Sequence, residues 1–343
     1  MSRSMFERLL AGPLVSLLVA TSLGGLALGA VTGCGDKPDD TSGDTDDTDD
    51  TDDTDDALDP DTVPLAGVCP QAVRWGTFTV DSNEDYASAS GGVADGVVPT
   101  AVLTELLVEG DCTIWRRENP FCDPGCETGF TCGLDGVCVA YPEAQDVGVV
   151  EIKGLTTGVA MTPVNPGWSY FDTSLDNPPW VSDQVITLET AEGAYTPVTM
   201  HGVSPVDMTL SDPAWLLVPH EDFHVSWDAA PDGARTDVVL QLRIDQHGLT
   251  PSALECVFPD TGSGVVPAAV LDSLIDVGLT GFPAGTIARR TVDNADLDGG
   301  GCVQFALTSS RFGEVEVDGY TPCRRQEDCP EGQECNEALE RCE

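Results

Sequence analysis

Alternation of apolar and polar residues with a period of two runs through much of the chain. "TDVVLQLRID" (236–245) places Val238, Leu240, Leu242 and Ile244 on one side, and "VGVVEIKGL" (147–155), "SDQVITLET" (182–190) and "CVQFALTSS" (302–310) behave in the same way. A pleated backbone sends successive side chains to opposite faces, so each stretch predicts a half-buried strand. Clusters of Gly, Pro and Asp separate these strands at short spacing, which points to antiparallel pairing. The expected fold class is mainly β: antiparallel β-sandwich units with short helices, plus two small disulfide-rich modules. The antibody arrangement is excluded, because Trp227 precedes both Cys256 and Cys302 instead of lying between them.

One pattern predicts a helix, and it occurs twice. "GVVPTAVLTELL" (96–107) returns as "GVVPAAVLDSLI" (264–275), with eight of twelve positions identical; "TIWRR" (113–117) returns as "TIARR" (286–290) after a spacer five residues longer. We read this as an internal duplication. In each copy a strand ends at the Val pair, and Pro99 or Pro267 occupies the first turn of a helix, where a missing N–H costs nothing. Val102, Leu103, Leu106 and Leu107 then share one helical face, and Gly110 ends the first helix. The next strand carries an Arg pair, Arg116–Arg117 or Arg289–Arg290, expected to neutralise surplus carboxylates rather than bind an anion.

Charge narrows the partners. The 343 residues carry a formal charge of -44, most of it beyond residue 62. Nucleic acid and anionic membrane surfaces are excluded as partners by that sign. The N-terminus has a short basic region, Arg3 and Arg8, then an apolar run from Leu9 to Val31, the form of an export signal. It ends Val31-Thr32-Gly33-Cys34, which resembles the bacterial lipobox. That resemblance implies cleavage before Cys34 and its lipidation. Gly35 stands where enteric inner-membrane lipoproteins carry Asp, so outer-membrane anchoring is expected. The following "GDKPDDTSGDTDDTDDTDDTDDALDPDTVP" has almost no apolar residues and is expected to be a disordered, self-repelling stalk. At roughly 3.3 Å per residue, about thirty residues reach at most about 100 Å. The run lacks the Gly and bidentate Glu of a formed calcium loop.

Thirteen cysteines occur. With Cys34 consumed by lipid, an even twelve remain, and an exported chain uses them as disulfides rather than zinc ligands. "CDPGCETGFTCGLDGVC" (122–138) and "CRRQEDCPEGQECNEALERC" (323–342) align over their last three cysteines, with Gly129 matching Gly332. Each is too short for an apolar core of its own. Spacing does not choose among three pairings per module; we take first–third and second–fourth, Cys122–Cys132, Cys126–Cys138, Cys323–Cys335 and Cys329–Cys342. The other four suggest Cys69–Cys112 and Cys256–Cys302, although Cys302 falls on the face opposite Val303, Phe305 and Leu307. The modules resemble short cysteine-rich repeats common in lipoproteins of myxobacterial type, which implies extracellular display. The expected organisation is a signal (1–33), a stalk (34–62), a first β unit (63–120), a module (121–142), a β-sandwich unit (143–320) and a second module (321–343).

Candidate chemistry is sparse. "VPHEDFHVSWD" (218–228) holds H-E-x-x-H at His220, Glu221 and His224, the zinc-peptidase pattern, which works only on a helix. Here Pro219 precedes it, and Phe223, Val225 and Trp227 alternate with His224, Ser226 and Asp228, so a strand is expected. On a strand the two histidines stand ~13 Å apart and cannot share one zinc. "DNADLDGGG" (293–301) offers Asp293, Asp296 and Asp298 at calcium-loop spacing, but position twelve, counted from Asn294, is Phe305, not Glu; a solvated hairpin is the preferred reading. Trp168, Tyr170, Phe171 and Trp180 fall among prolines and suit either a platform for a sugar or peptide or pins for a long loop. No cofactor is called for, calcium apart in the adhesion alternative. The expected function is non-catalytic: a surface-displayed, lipid-anchored structural or binding protein engaging another protein or a glycan. The alternatives are a zinc hydrolase at 220–224 and a calcium-dependent adhesion module.

Overall fold

Two long strands, Ala284–Asp296 and Cys302–Val317, form a hairpin against which the other parts of the body pack. The structure, a computed structural model, describes residues 58–118, 120–244 and 252–343. The expected signal segment, Cys34 and nearly all of the acidic stalk lie outside the described residues. Every second side chain of the hairpin points one way. Gly285, Ile287, Arg289, Thr291 and Asp293 face inward with Val303, Phe305, Leu307 and Ser309.

The hairpin lies inside an eleven-stranded sheet. On one side it is extended by Arg74–Ser82, Ala87–Ala94 and Tyr170–Asp172; on the other by Asp237–Arg243, Ser252–Pro259, Cys112–Arg117 and Leu103–Glu109. Pairing is antiparallel except where Arg74–Ser82 and Ala214–Leu217 run parallel to Cys302–Val317. The mainly β class expected from alternation is what forms. The separation into a unit at 63–120 and another at 143–320 does not: strands of both lie in this one sheet.

Two cores cover the same face of the sheet. Over one half lies a four-stranded sheet of Thr199–Val203, Val185–Thr190, Val150–Lys153 and Val159–Met161. Its Ile152, Ile186, Leu188 and Met200 pack on Phe78, Val80, Phe305 and Leu307, making the sandwich layer. Gly202 sits where the layers approach; a Cβ there would come within 2.7 Å of the Leu307 side chain. Over the other half lie Trp215, the strand pair Phe223–Ser226 and Ser263–Val266, and the helix Ala268–Asp276, which buries Val270, Leu271 and Leu274.

Between the cores the inward face turns polar. Arg289 is the largest fully buried side chain, and its Nε donates to Asp260 Oδ2 at 2.6 Å. Its Nη1 donates to the Asp207 carbonyl at 2.8 Å, and Nη2 to the Asp228 carbonyl and Asp260 Oδ1. Asp260 also accepts from Trp227 Nε1 and Thr236 Oγ1. Burial pushes its carboxyl up, but the hydrogen bonds from Arg289, Trp227 and Thr236 and the charge of Arg289 outweigh that and hold it below the ordinary range. Thr291 Oγ1 donates to the Val203 carbonyl and Ser309 Oγ accepts from Met208 N–H, so the chain crossing the band is also satisfied. Of the Arg pairs, Arg289 neutralises a carboxylate as expected; Arg290 faces the other way and forms no ion pair among the described residues.

The duplicated stretches adopt different structures. In the second copy Pro267 precedes the helix as expected. In the first, Pro99–Ala101 is a single 3-10 turn and Leu103–Glu109 is a strand, not the helix expected from Val102, Leu103, Leu106 and Leu107. Spacer length decides. Only Gly110, with φ 60, and Asp111 separate Leu103–Glu109 from Cys112–Arg117, so the segment folds back as a hairpin. The five extra residues of the second copy let a helix form and the chain still return.

All four module disulfides form as expected: Cys122–Cys132, Cys126–Cys138, Cys323–Cys335 and Cys329–Cys342. The other two do not. Cys112 and Cys256 are bonded, facing one another in adjacent strands with Cα atoms 4.0 Å apart. Cys69 bonds Cys302, because the parallel pairing of Arg74–Ser82 with Cys302–Val317 sets the start of one strand beside the start of the other. Pairing neighbours in sequence as Cys69–Cys112 and Cys256–Cys302 failed because the sheet joins the ends of the chain. Non-reducing peptide mapping is expected to return Cys69–Cys302 and Cys112–Cys256; a Cys69–Cys112 peptide would refute the strand order.

Removing one partner of a buried pair strands the other charge, so Asp260→Asn is expected to cost about 3–5 kcal/mol in denaturant unfolding at pH 7. Because the folded carboxyl titrates below its unfolded value, this stabilisation is complete above about pH 3.9 and is lost as pH falls through the lower folded value. The difference between wild type and variant should therefore shrink in acid; equal stability at pH 7 would show that the pair contributes nothing.

Candidate functional site

The H-E-x-x-H stretch forms no metal site. Phe223–Ser226 is a strand paired antiparallel with Ser263–Val266, as the alternation required. Phe223, Val225 and Trp227 are buried, and His224 points to solvent. His220 lies before the strand in the left-handed region, φ 69, with Glu221 exposed beside it. Its backbone N–H donates to Asp272 Oδ1 at 2.8 Å, and its Nδ1 lies 2.9 Å from Asp272 Oδ2. The backbone bond from His220, then the ring bond, hold the Asp272 carboxyl below its usual range. Asp222 Oδ1 accepts from Ala268 N–H at 2.8 Å, satisfying one of the orphan donors at the helix start. The stretch therefore holds the helix Ala268–Asp276 at two points, and a turn followed by a strand keeps His220 and His224 off any common helical face.

The three acidic residues of the hairpin loop do not converge. Asp293 is buried and accepts from Ala66 N–H and His201 N–H, tying the incoming chain and the second sheet to the hairpin. Asp296 ends its strand opposite Cys302. Asp298 accepts from Thr196 Oγ1 at 2.5 Å and Thr196 N–H at 3.1 Å, and these bonds lower its carboxyl. The solvated-hairpin expectation holds, and the calcium arrangement of Asp293, Asp296 and Asp298 is not formed. Among the described residues, the close groupings of metal-ligand atoms are Cys122, Cys126 and Cys138, and Cys323, Cys329 and Cys335. Their sulfurs are spent in disulfides.

The aromatic stretch pins its loop and is no platform. Tyr170 is buried, with its Oη accepting from Val147 N–H at 2.9 Å and its ring edge-on to Phe78. Burial raises its hydroxyl above the ordinary value. Trp180 is buried and donates to the Pro205 carbonyl at 3.0 Å. Trp168 is half-buried with φ 44, and only Phe171 is largely exposed.

Among the surface clefts of the described residues are two that the sequence did not single out. One, of about 670 Å³, lies along the end of the central hairpin beside Tyr320, with exposed Phe312 and Leu216 among Glu314, Glu316 and Asp318. The signal was present in "RFGEVEV", where Phe312 falls in phase with the two glutamates instead of with the valines. The other, of about 580 Å³, lies where the first cysteine module meets the sheet, lined by Trp75, Val97, Val139 and Tyr141 with Asp95 and Glu143. Comparison with known families finds no match, and no curated protein matches the sequence.

The capping role separates Asp222 from the residues the zinc pattern would require. Asp222→Ala is expected to lower stability by about 1 kcal/mol, read by thermal or denaturant unfolding. Glu221→Gln should leave stability unchanged, and wild type dialysed after exposure to zinc should retain none. One tightly held zinc, lost in His220→Ala, would overturn this assignment.

Proposed function

We propose that the protein is a lipid-anchored, surface-displayed binding or structural protein of the outer membrane that engages another protein or a glycan. The observation that carries this is the distribution of its side chains. The stretches that resembled a zinc site, a calcium loop and an aromatic platform place His220, Asp293, Asp298, Tyr170 and Trp180 in bonds that hold the fold, while large apolar side chains such as Phe121, Tyr141 and Phe312 are left on the outside. Both clefts are open and border such residues. Apolar surface left on a strongly charged body marks sites of association. Six disulfides suit a chain that works outside the reducing compartment. The lipobox-like Val31-Thr32-Gly33-Cys34 supports the anchor.

Fractionation of cells with metabolic fatty-acid labelling tests the anchor and the display together. Wild type should carry label, sediment with the outer membrane and be degraded when intact cells are treated with protease. Cys34→Ser should lose both label and sedimentation. A wild-type protein that is unlabelled and soluble would overturn the reading.

A further inference from the structure

The two cysteine modules share one disulfide connectivity, first to third and second to fourth, and each closes a small hairpin. Their surfaces differ. In the first, Phe121 is 86 % exposed, Val137 57 %, Tyr141 54 % and Phe130 50 %, with Leu134 and Val139 also exposed. The second has no exposed large apolar residue among those described. Its outside is charged, with pairs such as Arg325–Glu327 and Arg341–Glu343. The disulfides fix the scaffold of both modules, so exposed apolar bulk is not something the scaffold demands. It is specific to the first.

That bulk is arranged along a path. Val137, Val139 and Tyr141 alternate along one strand and its extension, so they share one face of the hairpin. The row leads into the 580 Å³ cleft between module and sheet, where Trp75 and Val97 continue the apolar lining. Trp75 is held against Gly299 and Gly301, with Tyr195 at 6.2 Å between ring centres. Glu143 N–H donates to Asp95 Oδ1, and Asp95 N–H to the Glu143 carbonyl, which fixes the two acidic residues side by side in the lining. No Lys or Arg lines the cleft.

We propose that this groove docks a segment of a partner protein that presents a lysine or arginine between apolar side chains. The apolar residues would lie along Val137, Val139 and Tyr141, and the cation would reach Asp95 and Glu143 beside the Trp75 ring. Charge selects this occupant over two others. A second copy would bring the same carboxylates and another chain of -44 charge. An anionic bilayer would meet a groove without a cation. The proposal rests on the reading of the protein as a binding protein and names the surface and partner class.

The test uses the intact detergent-solubilised chain and a fluorescent peptide of alternating leucine and lysine, with an alternating leucine–aspartate peptide as control. The lysine peptide should bind saturably and more weakly as salt rises, and the aspartate peptide should not bind. The double variant Val139→Ser, Tyr141→Ser should weaken binding about tenfold or more, the scale of losing an aromatic anchor. Tyr141→Phe should retain it. Asp95→Asn with Glu143→Gln, which keeps the side-chain oxygen that accepts from Glu143 N–H, should weaken binding and flatten its salt dependence. Unfolding curves check that the variants fold; if the serine pair does not, the carboxamide pair decides alone. Three results would overturn the proposal: no binding by wild type, equal binding by all variants, or a concentration-dependent dimer that the serine pair abolishes. Equal binding by all variants removes the groove and leaves the anchored protein intact as a reading, whereas an unlabelled wild type in the fractionation removes the anchor and leaves the groove.

Discussion

A guanidinium buried between two apolar cores sets the terms for this fold. Arg289 sits midway along the inward face of the central hairpin, where one core ends and the other begins. An unpaired charge there would be prohibitive, so Asp260, two backbone carbonyls and the chain around 207 and 228 must all arrive in place. Those requirements fix which segments cross the middle of the sheet. The Thr236–Asp260 and Trp227–Asp260 bonds then draw the adjoining strands into the same register. A hydrophobic band would tolerate several packings; a five-donor cation accepts few.

The legible part of the sequence was its periodicity. Strands at Val150–Lys153, Val185–Thr190, Asp237–Arg243 and Phe223–Ser226 were readable because one face is buried and the other wet. The same alternation argues against the zinc pattern at His220 and His224 without recourse to geometry. That each module closes on its own cysteines was legible because four fall within about twenty residues; the first–third, second–fourth connectivity was a choice that spacing leaves open. What could not be read was everything decided at long range. Cys69 finds Cys302 across 233 residues and Cys112 finds Cys256 across 144, through strand order that no local pattern encodes. The helix expected after Pro99 failed for a related reason, since the residues favour it and the two-residue turn at Gly110–Asp111 forbids it. Asp222 carries no local sign of its capping role, because the helix it serves begins 46 residues later.

Much of the conspicuous chemistry of this chain holds the fold together, while large apolar side chains are left on the surface. His220, Asp222, Asp293, Asp298 and Trp180, which lie in stretches that resemble sites, hold one segment against another. The residues available to a partner lie in segments that look like connectors: the first module, the ends of strands, the approach to Trp75. The two modules make the same point by contrast, since a shared framework carries an apolar skin in one and a charged skin in the other. Duplication followed by divergence of the surface leaves such a record, with the framework kept by its disulfides.

The Cys69–Cys302 bond also determines how the body responds to being pulled. Tension arriving through the chain ahead of residue 69 enters the central hairpin at its Cys302 end, by a covalent link, and need not peel Arg74–Ser82 away first. From there to Trp75 is six residues. A partner held against Trp75 and a pull arriving ahead of residue 69 would thus load a short, cross-linked piece of chain next to Val303 and the core it belongs to.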